Sequence, residues 1–175
     1  MIVPVVAVGV SVVALAVSII TLWLTQLRAG ELAASPPKAW AGSIYERQAI
    51  IMVPLAVSNT GARGKVILDL RLVLLDEPDR PMEWVRTRPE LRPEVGDPSF
   101  AAPIVLDGAS AAVHFVEFQR EPGRRPEAGS WAARIDAETM DSPGEWKPLL
   151  DFCWTVTEEA AQDLRVFIAR DNPQP

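Results

Sequence analysis

The sequence predicts an all-β fold, an immunoglobulin-like antiparallel β-sandwich preceded by one N-terminal transmembrane helix. Three observations carry that prediction. Positions 2–27 hold no charged side chain and are dense in Val, Ala, Ile and Leu. Beyond them, short apolar runs alternate with a period of two, the spacing that lays one face of a strand on a core. Fifteen of the sixteen prolines and nine of the ten glycines lie after the apolar run, punctuating those strands. Seven or eight short strands with turn-rich connections suit a sandwich, and no helix alternates with them as a doubly wound parallel sheet would require.

The apolar run is read first. At ~1.5 Å per residue it makes a helix ~39 Å long, more than a hydrocarbon core of ~30 Å needs. A cleavable signal peptide is the rival reading, and it wants a basic start, an apolar stretch of roughly 7 to 15 residues and a small-residue cleavage site. No Lys or Arg precedes this run, and Arg28 and Glu31 separate it from the first small cluster, Ala33, Ala34 and Ser35. Residues 1–28 are therefore expected to stay as an anchor. Trp23, Thr25 and Gln26 suit the membrane interface, and Pro4 falls in the first turn, where a missing N–H costs nothing. Ser35, Pro36 and Pro37 mark 29–37 as a linker, 38–170 as the β-domain and 171–175 as a tail.

Orientation follows from the flanking cations. Arg28, Lys38 and Arg47 come after the span and only the α-amino group precedes it, which favours a cytoplasmic β-domain. The lone Cys153 can form no disulfide within the chain and is compatible with a reducing compartment. The net charge of -6 falls wholly outside the span. Nucleic acid is disfavoured as a partner, because phosphate binding needs a basic patch.

Within the domain, 66–74 is the clearest strand: Val66, Leu68, Leu70, Leu72 and Leu74 alternate with Ile67, Asp69, Arg71 and Val73. The preceding stretch 49–57 is β-branched and apolar, and the connection 58–64 offers Asn59, Gly61 and Gly64 for positive-φ positions, so the two read as a hairpin. Pro54 lacks a ladder donor, which places a bulge or an edge there. Further strands are expected over 82–87, 100–106, 110–119, 131–137 and 146–156. In the last, Trp146, Leu150, Phe152, Trp154 and Val156 share the core-facing register. Thr157 can cap a short helix to about Leu164. Residues 165–169 read as a terminal strand, since Val166, Phe167 and Ile168 favour β-structure.

Candidate chemistry is sparse. His114, the single histidine, lies between Val113 and Phe115 in a strand. Ser110 stands on the same strand about 13 Å away at ~3.3 Å per residue, too far to be its nucleophile. Cys153 sits between Phe152 and Trp154, the setting of a structural thiol. One Cys and one His cannot supply a zinc site. Asp136, Glu138 and Asp141 share one connection but lack the register of a Ca²⁺ loop, and Asp76, Glu77 and Asp79 lie in a Pro-marked turn. No catalytic, metal or cofactor-binding residue is assigned, and no enzyme activity is expected. Among Trp84, Trp131, Trp146 and Trp154, Trp84 is the candidate for an exposed stacking platform, with Glu83, Arg86 and Arg88 around it.

The stretch TLWLTQLRAGEL (21–32), the SPP that follows, VPLAVSNTGARGKVILDLRLVL (53–74) and VEFQ (116–119) resemble uncharacterised bacterial single-pass membrane proteins with one N-terminal helix and a small β-sandwich. The resemblance implies that architecture and no site, since that group has no assigned activity. A single Arg28 stands where a basic pair is common in the group. Two functions are weighed: a membrane-tethered module that binds another protein at the membrane surface, and a cell-envelope module that binds a glycan or other small polar ligand.

Overall fold

A computed structural model describes residues 2–44, 48–91, 97–121, 127–163 and 168–172. Helix α1 covers Ile2–Leu22 and runs into one π-helical turn, Trp23–Leu27. That turn closes where the Arg28 amide donates to the Trp23 carbonyl at 2.8 Å. From Val8 to Leu27 every side chain is exposed, and this is one helix long and apolar enough to cross a membrane.

Among the described residues, all else of size is antiparallel sheet. The strands are β1 (Leu32–Ser35), β2 (Ala39–Ile44), β3 (Ala49–Asn59), β4 (Lys65–Leu74), β5 (Met82–Arg88), β6 (Ser99–Phe100), β7 (Ile104–Leu106), β8 (Ala111–Arg120), β9 (Gly129–Thr139), β10 (Ser142–Val156) and β11 (Ile168–Asp171). They lie in the order β10-β9-β4-β5-β8-β3-β2-β11, with β1 added to β3, β6 to β5 and β7 to β4. The expected all-β fold behind one N-terminal helix is what forms.

The sheet is continuous but joined thinly in its middle. Strands β4 and β5 share only two Cα partners, Arg71 with Glu83 and Leu72 with Met82. Around that joint the sheet curls, and its far ends meet: the rings of Trp40 on β2 and Trp154 on β10 stand edge to face at 5.2 Å. The Trp40 indole N–H also donates to the Thr155 carbonyl at 3.1 Å. Inside the curl lie Leu55, Ile67, Leu72, Met82, Phe118 and Ile135, all fully buried. Burial of such side chains contributes roughly 1.5–3 kcal/mol each, the main favourable term for a domain of this kind.

Several sequence expectations change in three dimensions. The 49–57 and 66–74 arms do not pair as a hairpin. Strand β3 pairs with β8, β2 and β1, and β4 with β9, β5 and β7. The connection between them crosses from one half of the sheet to the other. None of Asn59, Gly61 and Gly64 has a positive φ. Gly61 is required instead by close approach, since a β-carbon on it would stand 2.3 Å from the Gly30 nitrogen. Asn59 organises the crossing by donating to the carbonyls of Arg63 (2.7 Å) and Asp107 (3.0 Å) and accepting from Gly61 N–H (3.0 Å).

The simple alternation of β4 breaks at a register shift between Ile67 and Asp69. Ile67 is buried in place of Val66 and Leu68, while Leu70, Leu72 and Leu74 keep the core face. The stretch 29–37, read as a linker, contains β1, whose partners on β3 are Val57, Ser58 and their neighbours. Strands β1 and β2 lie along one side of β3, and their pairing is interrupted at Pro36 and Pro37, which cannot donate to a ladder. Pro54 faces that interruption, between the residues of β3 paired to β2 and those paired to β1, so the edge expected there exists. Thr157 caps α2 (Glu158–Gln162) by accepting from the Ala160 amide at 3.1 Å. Leu164 and residues 165–167 lie outside the described residues. Residues 168–171 are the strand β11, which extends into the supposed tail, and Asn172 beyond it is buried.

Candidate functional site

The most organised polar group lies on the outer face of β4, β9 and β10. Asp136 is 1% exposed, although it faces away from the apolar interior between the core residues Ile135 and Ala137. Its burial is made tolerable by two arginines. Arg71, its Cα partner on β4, approaches one carboxylate oxygen with Nε and Nη2 each at 2.9 Å. Arg134, two residues back on the same strand, donates Nε to the other at 2.6 Å. Burying a carboxylate is costly unless it is paired and hydrogen-bonded in this way.

Trp146 completes the group. The guanidinium of Arg71 lies over its ring, 4.5 Å from the centroid. The sequence placed Trp146 with the core residues of its strand, but β10 carries register shifts between Ser142 and Trp146 and between Pro148 and Leu150. The second shift turns the strand over, so Leu150, Phe152, Trp154 and Val156 point inward and Trp146 comes to the half-exposed outer surface. Gly144, with φ of +79°, forms the first irregularity, and its amide donates to Glu138 at 2.8 Å. Arg71, Arg134 and Trp146 thus present a partly exposed cationic and aromatic surface fixed from beneath by Asp136. Nearby Asp69 accepts from the Leu70 amide at 2.7 Å. Burial pushes its carboxyl above the ordinary value, the Leu70 amide opposes that, and Glu138 and Glu83 add to the rise.

A second buried carboxylate, Glu117 on β8, is held by Arg88 Nε at 2.6 Å and by the Gln119 amide at 2.7 Å. The row Asp136, Arg71, Glu83 and Gln119 runs partner to partner over β9, β4, β5 and β8, across the thin joint of the sheet. At the helix-exit end, a cleft of about 360 Å³ opens between β1 and the β9–β10 hairpin, with Glu31, Leu32, Lys65, Asp141 and Lys147 in its walls. Lys65 pairs with Asp141 there.

The residues singled out in the sequence are scattered. His114 on β8 and Cys153 on β10 belong to strands separated by β9, β4 and β5. The His114 Nε2 is buried without a hydrogen-bond partner, and burial lowers the imidazole pKa below its ordinary value. Asp136, Glu138 and Asp141 do not converge, since each serves a different partner. Among the described residues no group of three metal-ligating side chains could hold an ion. Glu77, in the β4–β5 turn, forms an ion pair with Arg120 at 2.9 Å. Trp84, the expected platform, is buried against that expectation, with its indole N–H spent on the Arg86 carbonyl at 2.9 Å. A charged local sequence does not expose a residue whose strand register points it inward. Trp131 is half-buried and donates to Glu127 at 3.1 Å.

Sequence reasoning missed the Asp136 group because its signal is spread over three strands. Only the Arg134 and Asp136 spacing, which places both on one strand face, was available locally. The chain matches no protein-family model and no curated protein.

Proposed function

We propose that this chain is a membrane-tethered module that presents the Arg71, Arg134 and Trp146 surface to another protein at the membrane. Helix α1 is its single span, in a bacterial cytoplasmic membrane, and the β-domain, an immunoglobulin-like sandwich in this reading, lies on the cytoplasmic side favoured by Arg28, Lys38 and Arg47. The role is binding, not catalysis. The observation that carries the proposal is the Arg71 guanidinium stacked on Trp146 while tied to buried Asp136. Arg and Trp are enriched among residues that dominate interface energies, and a side chain already immobilised loses little entropy on binding.

A photocrosslinking amino acid at position 146 of the full chain, in native membranes, tests this. A discrete protein adduct that Arg71→Glu abolishes is expected. Labelling confined to lipid, or a protein adduct unchanged by Arg71→Glu, would remove the proposal. The second reading, a small polar ligand of the cell envelope, is favoured by the cleft beside Lys65 and Lys147. It requires the domain outside the cytoplasm. A reporter fused after Pro175 and active only in the cytoplasm would exclude it.

A further inference from the structure

The end of the β-domain that receives the helix carries an apolar patch. We propose that this patch, formed by Val66, Val105 and Met140, rests in the headgroup layer of the bilayer that α1 spans; the proposal depends on the anchor reading of α1. Three observations lead there. The helix does not hang on a slack tether: Ala62 N–H donates to the Arg28 carbonyl at 3.0 Å and Thr60 N–H to the Glu31 carbonyl at 3.1 Å. The Glu31 amide returns a bond to the Thr60 hydroxyl at 3.0 Å. A β-carbon on Gly30 would stand 1.8 Å from the Gly61 nitrogen, so backbone lies on backbone at the exit.

Around this joint gather the β3–β4 crossing, the β7–β8 connection and the β9–β10 turn. Ala109 N–H donates to the Gly61 carbonyl at 2.6 Å, and Met140 N–H to the Val66 carbonyl at 2.9 Å. Val66 is also the Cα partner of Val105. The three residues are therefore side by side across β7, β4 and the hairpin tip, and Val105 is 68% and Met140 58% exposed. Exposed Arg28 and Arg63 stand at the same end, placed for lipid phosphates.

Reach decides the occupant. Ala62, bonded to the helix exit, is four residues from Val66, at most ~13 Å of extended chain. The uncharged run exceeds the hydrocarbon core by ~9 Å, an excess that helix tilt absorbs. With the joint rigid, tilt lowers one side of the domain toward the headgroups. The side bearing apolar residues gains from that contact, because Met and Val at the boundary leave water.

The test uses the full chain with Cys153→Ala, reconstituted in phosphatidylcholine vesicles containing one-fifth phosphatidylglycerol. An environment-sensitive fluorophore is attached in turn to Leu15→Cys, Val105→Cys, Met140→Cys and Leu75→Cys. Leu75 lies in the β4–β5 turn at the opposite end and is 42% exposed. Positions 105 and 140 are expected to show blue-shifted emission and at least twofold more quenching by lipid-borne nitroxide than position 75. Quenching at 105 and 140 equal to that at 75, with position 15 strongly quenched, overturns the patch and leaves the anchor standing. A blue shift at 105 and 140 without lipid quenching means that a second copy covers the patch and likewise overturns it. If position 15 is not quenched, the anchor reading fails and the patch proposal falls with it.

Discussion

Asn172 holds Thr155 across the seam where the curled sheet meets itself, its side-chain oxygen accepting the Thr155 amide at 2.8 Å. Its amide nitrogen donates to the carbonyls of Cys153 at 3.0 Å and Pro37 at 2.9 Å. One side chain thereby links β10 to the start of β2, beside the Trp40 and Trp154 rings. Asn172→Ala should strand buried backbone groups and destabilise the fold by about 2–4 kcal/mol, more than an average substitution. Urea unfolding that moves by less than about 0.5 kcal/mol would show the seam to be held by the tryptophans alone.

The pairing of β1 with one end of β3 makes a deletion series informative. A chain starting at Arg28 keeps the joint and β1, and should be soluble and monomeric on size exclusion. One starting at Ser35 loses most of β1 and bares the Val57 to Asn59 edge of β3, an unpaired edge that invites association. The second variant should run larger or precipitate. Identical monomeric behaviour of the two would mean that β1 contributes nothing to closing the edge.

Asp136 and its two arginines should respond asymmetrically. Arg71 and Arg134 side chains are about a third exposed, at 31% and 33%, so after Asp136→Ala they can reach water. Removing both arginines leaves the carboxylate buried and uncompensated. Arg71→Ala with Arg134→Ala should cost about 3 kcal/mol, more than Asp136→Ala, and the triple variant less than the sum. Additive losses in thermal unfolding would contradict a coupled group.

Asp69 gives a pH dependence of defined sign. Its folded-state pKa lies above the ordinary 3.8, so the folded state binds its proton more tightly than the unfolded chain does. The associated stability is present below pH 3.8 and is lost as pH rises through the folded value. At pH 7 the ionised Asp69 is a net cost beside Glu138 and Glu83. Asp69→Asn, which keeps the acceptor for Leu70, should raise Tm at pH 7 and lose that advantage near pH 3. A higher Tm at both pH values would point to a cause other than charge.

The sequence made the helix and the antiparallel β class legible because hydrophobic period and proline placement act locally, whereas β1 and β2, short and rich in Ala, Gly and Ser, were not legible as strands. Pairing was less legible. Strands β3 and β4 are both apolar and flank a glycine-containing connection, and nothing in that stretch says whether it turns back or crosses over. The deciding contacts come from Gly30 and Asp107, far away in the chain. Bulges were invisible for a related reason: one extra residue in β4 and in β10 inverts the face of everything beyond it. Ile67 went inward and Trp146 outward on that account. The Asp136 group needed the pairing of β4 with β9, and so could not be read before the pairing was known.

The contact of Gly30 with Gly61 also sets the kind of search a partner must perform. Nine residues of unstructured tether would let a domain roam over a radius of roughly 17 Å and take any attitude. A backbone-to-backbone joint removes that freedom. For a chain anchored by α1, encounter with a second membrane-bound molecule becomes a collision in a plane between bodies of fixed aspect, in which the same strands always lead.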